Sequence, residues 1–182
     1  MQTEIMIAGF GGQGVLFAGQ LLAYAAMDEG KQVTWIPSYG PEMRGGTANC
    51  TVVIADEEIG APMVRHPQAI VAMNLPSLDK YEDTLQAGGL LVINSSMTPR
   101  APRRSDIRWV AVPGNQIAEE LGDRRMTNMV LLGGLLANLP VLTLTSLEQA
   151  LKAHLPARHQ RLLPLNVQAL SRGAQYPVAQ AA

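Results

Sequence analysis

The sequence predicts a single α/β domain, a Rossmann-like three-layer sandwich with a mainly parallel sheet and helices on both faces. Two observations lead to this prediction. Short apolar segments alternate with longer helical segments along the 182 residues, and strands that are apolar throughout are typical of a parallel sheet covered on both faces. No internal repeat or long linker divides the chain, so residues 1–182 are expected to form one domain.

Six segments are predicted to be strands because they are short and either wholly apolar or alternately apolar and polar. In chain order they are Ile5–Ala8, Gln32–Ile36, Ala48–Ala55, Gln68–Met73, Leu90–Ile93 and Ile107–Val112. Pro37 is predicted to end the second strand. The segment from Ser38 to Thr47 is rich in glycine and is predicted to be a loop.

The segments between and after these strands predict helices. In order they are Val15–Met27, Pro76–Gln86, Asn115–Leu121, Asn128–Leu139, a helix to about His154 that is capped around Thr145, Ser146 and Glu148, and a surface helix over Arg158–Arg172. Residues from Gly173 to Ala182 are predicted to be a frayed tail. The first and fourth helices are apolar on almost every side, which predicts that partner chains cover them.

Composition excludes several classes of function. The chain is 47% apolar and 16% charged, with a net charge of −1, which is typical of a globular protein and gives nucleic acid or anionic lipid no basic surface to bind. No window reaches the roughly 18 apolar residues of a membrane span, and no secretion signal opens the sequence. The single cysteine, Cys50, excludes an intrachain disulfide and an iron–sulfur cluster, which takes about four cysteines. We therefore predict a cytoplasmic protein.

A glycine loop is the strongest chemical signal. Gly9, Gly11 and Gly14 form G-x-G-x-x-G directly after a predicted strand and before a predicted helix. Such glycines let the backbone approach a phosphate, while the helix N-terminus presents free N–H groups to it. The alternative is close packing of strand on helix. A nicotinamide cofactor is disfavoured, because the strand that ends at Ile36 lacks the acidic residue that holds the ribose.

Four segments together resemble one family. They are Gly9–Gly14 (G-F-G-G-Q-G), Ser38–Thr47 (S-Y-G-P-E-M-R-G-G-T), Asn94–Ser96 and Asn128–Val130. The set is similar to the gamma subunit, or the equivalent domain, of coenzyme A-dependent 2-oxoacid:ferredoxin oxidoreductases. The residues of these motifs resemble the 2-oxoglutarate and branched-chain members more than the pyruvate members. The resemblance covers most of the chain up to about residue 140 and does not extend to the C-terminal segment.

The resemblance implies a division of labour. In this family the partner alpha and beta subunits, with delta as a further candidate, hold thiamine diphosphate with its magnesium and the iron–sulfur clusters, and electrons leave to ferredoxin. The gamma-type domain contacts coenzyme A and holds no metal or catalytic residue. Carried onto this sequence, the coenzyme A contacts are Gly11, Gly12, Gln13, Gly14, Val15, Asn94 and Asn128.

The sequence departs from the family's motifs at one position, and some candidate residues have alternative roles. Some relatives have a lysine where this chain has Glu42, and Arg44 is the candidate substitute, although a loop arginine is more often simply solvated. Asn128 is equally consistent with a helix cap, and Asn94 with a residue that binds turn backbone. For the whole chain, the alternatives are a stand-alone Rossmann-type nucleotide-binding or regulatory module, and the small subunit of an indolepyruvate-type oxidoreductase.

Overall fold

A computed structural model describes residues 1–40 and 46–178. Its six strands form one sheet in the order β2-β3-β1-β4-β5-β6. Their bounds are β1 Gln2–Phe10, β2 Gln32–Tyr39, β3 Thr47–Ala55, β4 Ala69–Ala72, β5 Leu90–Asn94 and β6 Arg108–Val112. Among these described strands, all except β3 run in one direction. The predicted mainly parallel sheet is confirmed.

Six helices within the described residues cover the two faces of the sheet unequally. They are α1 Val15–Asp28, α2 Leu75–Tyr81, α3 Gly114–Glu120, α4 Thr127–Asn138, α5 Leu144–His154 and α6 Leu163–Gly173, with 3-10 turns at Glu82–Thr84, Arg124–Met126 and Ala157–Leu162. Successive residues of a strand face opposite sides. In β5, Leu90 and Val92 join a large core with α1 and α3–α6, whereas Leu91 and Ile93 join a small core with α2. The predicted three-layer α/β fold is confirmed.

The second strand is longer than predicted. It does not end at Ile36 but continues through Pro37 to Tyr39, and Pro37 pairs with Cys50 of β3. The strand lies at the edge of the sheet. An edge strand pairs on one side only, so a proline whose missing N–H faces outward removes no ladder hydrogen bond.

The strand order departs from the dinucleotide-binding arrangement. In that fold the strand after the first helix lies beside the first strand, which brings its ribose-binding acid to the phosphate loop. Here β3 lies between β1 and β2 and runs antiparallel to both. The topology therefore agrees with the missing acid in disfavouring a nicotinamide cofactor.

The chain itself covers the apolar helix α4. Its residues from Thr127 to Leu136 are all buried. A Cβ on Gly133 would strike the carbonyl oxygen of Leu170, and one on Gly173 would strike that of Val130, so α4 and α6 pack backbone against backbone. The prediction that α4 needs a partner chain for cover was wrong, because apolar periodicity does not reveal which chain provides the cover.

The C-terminal segment contacts α4 as far as Val178. Asn138 of α4 donates from Nδ2 to the carbonyl oxygen of Tyr176 at 2.9 Å, and its Oδ1 accepts from the N–H of Val178 at 2.9 Å. These bonds hold the backbone at Tyr176 and Val178 against α4, whereas residues 179–182 lie outside the described residues, so the predicted frayed tail stays a prediction. The predicted surface helix is a 3-10 turn followed by α6, whose inner face is buried against α4.

Two other helix boundaries move for local reasons. Helix α2 ends at Tyr81 and not near Gln86, and the Thr84 hydroxyl donates to the Tyr81 carbonyl at 2.7 Å, which competes with a continued α-helix. Helix α5 is capped by Thr143, whose hydroxyl accepts from the N–H of Ser146 at 3.0 Å. The cap therefore lies two residues before the predicted Thr145.

A buried carboxylate fixes the basic connector that precedes β6. Glu82 is only 2% exposed and accepts from Arg100 Nη2 at 2.8 Å and from the backbone N–H groups of Arg103 and Arg104. Asp79 of α2 accepts from Arg100 at 2.6 Å and from Arg103 at 3.0 Å. These arginines therefore hold the connector against α2.

Candidate phosphate-binding site at the glycine loop

The glycine loop joins β1, which ends at Phe10, to α1, which begins at Val15. Gly12 has a φ of +96° and Gly14 a φ of +75°, backbone conformations that other residues rarely adopt. Gly14 is the N-cap of α1, where no side chain among residues 1–40 and 46–178 caps the helix and no acidic residue occupies the first turn. The local sequence therefore leaves the positive end of the helix dipole uncompensated.

The loop and the first turn of α1 present free hydrogen-bond donors. The N–H groups of Gly12, Gly14, Val15, Leu16 and Phe17 have no acceptor among residues 1–40 and 46–178. The first N–H groups of a helix have no intrahelical partner and need an external acceptor. Together with the dipole, they make a site that suits an anion such as a phosphate.

Gly14 and Asn128 lie in contact, although 114 positions separate them in sequence. Asn128 donates from Nδ2 to the Gly14 carbonyl at 3.2 Å, and its Oδ1 accepts from the N–H of Met129 at 2.9 Å. A Cβ on Gly14 would strike Nδ2 of Asn128. Asn128 is the second residue of α4 and not its N-cap. Its side chain bonds to the backbone at the start of α4 and also links the N-terminus of α4 to that of α1.

Gln13 is fixed by the loop itself. Its Oε1 accepts from the N–H of Phe10 at 2.7 Å and from Nδ2 of Asn74 at 2.9 Å. Asn74, the N-cap of α2, is 1% exposed and accepts from the N–H of Ser77 at 2.9 Å. Sequence reasoning missed Asn74, although an asparagine two residues before Pro76 is a helix-start signal.

Asn94 ties three loops together at the end of β5. It is fully buried, and its Nδ2 donates to the Met73 carbonyl at 3.0 Å and to Oδ1 of Asn115 at 2.8 Å. Its Oδ1 accepts from the N–H of Gly114 at 3.1 Å. Both of its N–H donors are thus used inside the chain, which makes its observed role the support of the loops.

The predicted site residues Gly11 to Val15, Asn94 and Asn128 gather at one edge of the sheet. This edge holds the carboxyl ends of β1, β4, β5 and β6, where open α/β sheets bind their ligands. Arg44 and Glu42 lie outside the described residues. The neighbouring Gly46 is part of this edge, because its carbonyl accepts from the N–H of Gly11 at 2.9 Å.

Three cavities surround the N-terminus of α1. One of about 260 Å³ lies between the glycine loop and Tyr39 of β2. A second, of about 190 Å³, shares Gly12 with the first and reaches Asn115 and Arg125. A third, of about 340 Å³, is lined by Arg125 and Phe17 and extends to α6. Because they share lining residues, the three cavities adjoin one another around the first turn of α1, and we call them together the groove.

Two arginines that sequence reasoning missed line the second cavity. Arg124 Nη2 lies 2.7 Å from the Glu119 carboxylate. Arg125 donates to the Asp123 carboxylate from Nε at 2.9 Å and from Nη2 at 2.6 Å. The Arg125 hydrogen bond holds the pKa of Asp123 below its ordinary value. Their position beside Gly12 follows only from the fold, because more than 100 residues of chain separate them from the loop.

Most of the chain matches one known protein family. Residues 4–176 match the family described as Pyruvate ferredoxin/flavodoxin oxidoreductase. The chain belongs to this family. The resemblance found in the sequence is thereby confirmed, but its predicted limit near residue 140 was wrong, because the match extends to residue 176.

Relatives within the oxidoreductase family cover nearly the whole chain. The ketoisovalerate oxidoreductase subunit VorA of Methanothermobacter thermautotrophicus is 39% identical over 96% of the chain and 36% of that protein. The chain thus spans about a third of the length of this relative. The 2-oxoglutarate synthase subunit KorC of Methanothermobacter marburgensis is 39% identical over 86% of the chain and 88% of that subunit.

Solved structures of oxidoreductases share the fold. The gamma subunit of a keto/oxoacid ferredoxin oxidoreductase from Geobacter sulfurreducens superposes with a TM-score of 0.81 and 30% identity, covering 95% of the chain and 96% of that subunit. The 2-oxoglutarate:ferredoxin oxidoreductase of Magnetococcus marinus, solved with 2-oxoglutarate, coenzyme A and succinyl-CoA, superposes with a TM-score of 0.84 at 22% identity. It covers 96% of the chain and 30% of that protein, and it shows the fold alone.

The predicted contacts of individual residues with coenzyme A stay predictions.

Within residues 1–40 and 46–178, no helix is long and apolar enough to cross a membrane. In the same residues, no three His, Cys, Asp or Glu side chains are grouped as metal ligands.

Proposed function

We propose that this chain is the gamma-type component of a coenzyme A-dependent 2-oxoacid:ferredoxin oxidoreductase, in which its glycine loop binds the phosphates of coenzyme A. The observation that carries the proposal is the set of free N–H groups on five residues that line the groove at the carboxyl edge of the sheet, namely Gly12, Gly14, Val15, Leu16 and Phe17. Family membership and the coenzyme A bound in the Magnetococcus relative support it.

The binding chemistry follows from the loop. A pyrophosphate at the N-terminus of α1 accepts hydrogen bonds from Gly12, Gly14 and Val15, and each charge-assisted bond contributes roughly 1.5–3 kcal/mol. Apart from Gly12 itself and its two chain neighbours, no heavy atom of the described residues lies within 4 Å of the position that a Cβ would occupy on Gly12, so the phosphate can approach its backbone closely. Asn94 and Asn128 hold the loop and α4 in place around the ligand, and Asn128 borders the third cavity.

The redox chemistry belongs to partner subunits in this proposal. The chain has one cysteine, Cys50, and burial raises the pKa of its thiol to about 12, which keeps it protonated. Thiamine diphosphate, magnesium and the iron–sulfur clusters are assigned to the alpha and beta subunits, and ferredoxin takes the electrons. The role of this chain is to bind and orient coenzyme A for acyl transfer. We place the complex in the cytoplasm, where a single reduced cysteine is expected.

The 2-oxoacid is proposed to be 2-oxoglutarate, with ketoisovalerate as the second candidate. Both substrate classes occur in the names of the relatives at 39% identity. An indolepyruvate-type complex is a further variant. A stand-alone nucleotide-binding module is less favoured, because β2 is separated from β1 and lacks a ribose-binding acid.

The test uses the complex assembled with its partner subunits. Ferredoxin reduction is measured with 2-oxoglutarate, ketoisovalerate, pyruvate and indolepyruvate, with and without coenzyme A. In a Gly12→Val complex the Michaelis constant (KM) for coenzyme A is expected to rise at least tenfold, since about 1.4 kcal/mol is a factor of ten. The decarboxylation half-reaction, which precedes acyl transfer, is expected to persist. Wild-type coenzyme A kinetics in a folded variant would mean that the loop is only structural.

A further inference from the structure

The largest of the three cavities has features that the phosphate site does not require. It holds about 340 Å³ between the first turn of α1, the start of α4 and the segment that leads into α6. Its apolar walls are Phe17, Met126, Leu155, Pro156 and Leu162. Its polar lining consists of Arg125, Asn128, Arg158, His159 and Asn166. An apolar cavity with a few convergent polar groups is typical of a small-molecule binding site.

Asn166 is the first sign of a ligand in this cavity. Its side chain lines the cavity although the residue is only 4% exposed. Its Nδ2 donates to the Leu162 carbonyl at 2.8 Å, whereas its Oδ1 accepts no hydrogen bond from any residue that the structure describes. This amide oxygen is open to the cavity, so a donor that enters the cavity can form a hydrogen bond with it.

Arg158 is the second sign. The guanidinium is within 4 Å of no carboxylate in the described part of the chain, and its Nε donates to Nε2 of His159 at 3.2 Å. Arg125, by contrast, is paired with Asp123. The cavity therefore combines apolar walls, an unpaired amide oxygen and an uncompensated cation, which together suit an aromatic base that carries a phosphate.

We propose that this cavity binds the purine base at the nucleotide end of coenzyme A, with Asn166 at the base edge and Arg158 at the ribose phosphate. An asparagine amide matches the donor and acceptor pair on the edge of adenine. This inference rests on the proposed function. It extends the site beyond the residues carried over from the family resemblance, because neither Asn166 nor Arg158 was among them.

The cavity adjoins the glycine loop. Phe17 borders both this cavity and the one beside the loop. Asn128 lines the cavity and donates to the carbonyl of Gly14, the N-cap of α1. One ligand can therefore have its phosphates at the loop and its base between α1 and α6.

The experiment uses adenosine 3′,5′-bisphosphate, which is the nucleotide end of coenzyme A without the thiol. In the assembled complex we expect it to inhibit competitively with coenzyme A. Asn166→Ala and Arg158→Ala are each expected to raise its inhibition constant about tenfold, the size of one good base or phosphate contact. Arg161→Ala is the matched control, because Arg161 is an exposed residue of the same 3-10 turn that does not line the cavity.

The outcomes separate this inference from the proposed function. If the bisphosphate competes but both cavity variants leave its inhibition constant unchanged, the base binds elsewhere and the inference is wrong, while the glycine loop keeps its role. If Gly12→Val also leaves coenzyme A kinetics unchanged, the proposed function fails. Thermal unfolding of each variant checks the fold, and Arg158→Ala decides the test if Asn166→Ala is unfolded, since Arg158 is exposed.

Discussion

The clearest test of the glycine loop compares two glycines that share a backbone conformation and differ in location. Gly12 has a φ of +96° and Gly88 a φ of +74°, and for both, apart from the glycine and its chain neighbours, no heavy atom of the described residues lies within 4 Å of the position that a Cβ would occupy. Alanine at either position is strained by about 1–2 kcal/mol, because L-residues disfavour this left-handed region. Gly12→Ala and Gly88→Ala should therefore lose similar free energies of unfolding.

Of these two glycines, Gly12 borders the groove and Gly88 does not. Gly12 lines both the cavity of about 260 Å³ and that of about 190 Å³, where the proposed phosphate lies, so a Cβ there adds bulk beside the ligand. We expect the KM for coenzyme A to rise about tenfold in Gly12→Ala, equivalent to about 1.4 kcal/mol, and to stay within about twofold of wild type in Gly88→Ala.

Gly14→Ala extends the series. It has the same backbone strain, and its Cβ would strike Asn128, which breaks the hydrogen bond between Asn128 and the Gly14 carbonyl. A further loss of about 1 kcal/mol is expected from that bond, so this variant should be the least stable of the three. The assays are denaturant unfolding of the chain and coenzyme A kinetics of the assembled complex. Equal KM values in the Gly12 and Gly88 variants would refute the assignment of the loop to coenzyme A.

Three more predictions follow from the packing and the buried polar groups. Gly133→Ala should lose at least about 1–3 kcal/mol of unfolding free energy, because its Cβ would strike the Leu170 carbonyl; Gly60→Ala, which has open space around it, is the control, and equal stability of the two would contradict the close α4–α6 contact. Cys50, whose pKa burial raises to about 12, should resist iodoacetamide at pH 8 until the chain unfolds. Its contribution should also lower stability as pH rises from about 8.5 toward 12, because the unfolded thiol loses its proton first; labelling of the folded chain at the rate of a free thiol would disprove this. Asn94→Ala should lose about 1–3 kcal/mol, since buried loop groups are left unpaired, yet change the KM for coenzyme A less than Gly12→Ala does; a larger effect on KM than on stability would show a direct contact instead.

Local patterns predicted the parts of the fold that depend on local physics. The strand before the glycine loop, the helix after it and the apolar strand ending at Asn94 follow from periodicity and glycine content. The passage of β2 through Pro37 was missed, because it depends on β2 being an edge strand. Strand order is a tertiary property that a single sequence does not state.

The groove was predicted only in part for a similar reason. The glycine loop is a contiguous motif, whereas Arg125, Arg158 and Asn166 reach the groove from segments more than 100 residues away. Their residue types are ordinary for a helix surface, so nothing in the local sequence marks them. The same limit explains why the apolar surface of α4 was assigned to a partner chain and not to α6.

The polar groups around the loop divide into two sets with different roles. The side chains of Gln13, Asn94 and Asn128 already form hydrogen bonds within the chain, whereas the N–H groups at the start of α1 have no acceptor among the described residues. The side chains therefore hold the groove in shape before a ligand arrives, and the backbone supplies the donors. Such preorganisation means that little conformational freedom is lost on binding. It also explains why adding a Cβ at Gly12 should weaken coenzyme A binding more than removing an asparagine amide, since the first change obstructs the donors and the second only loosens their support.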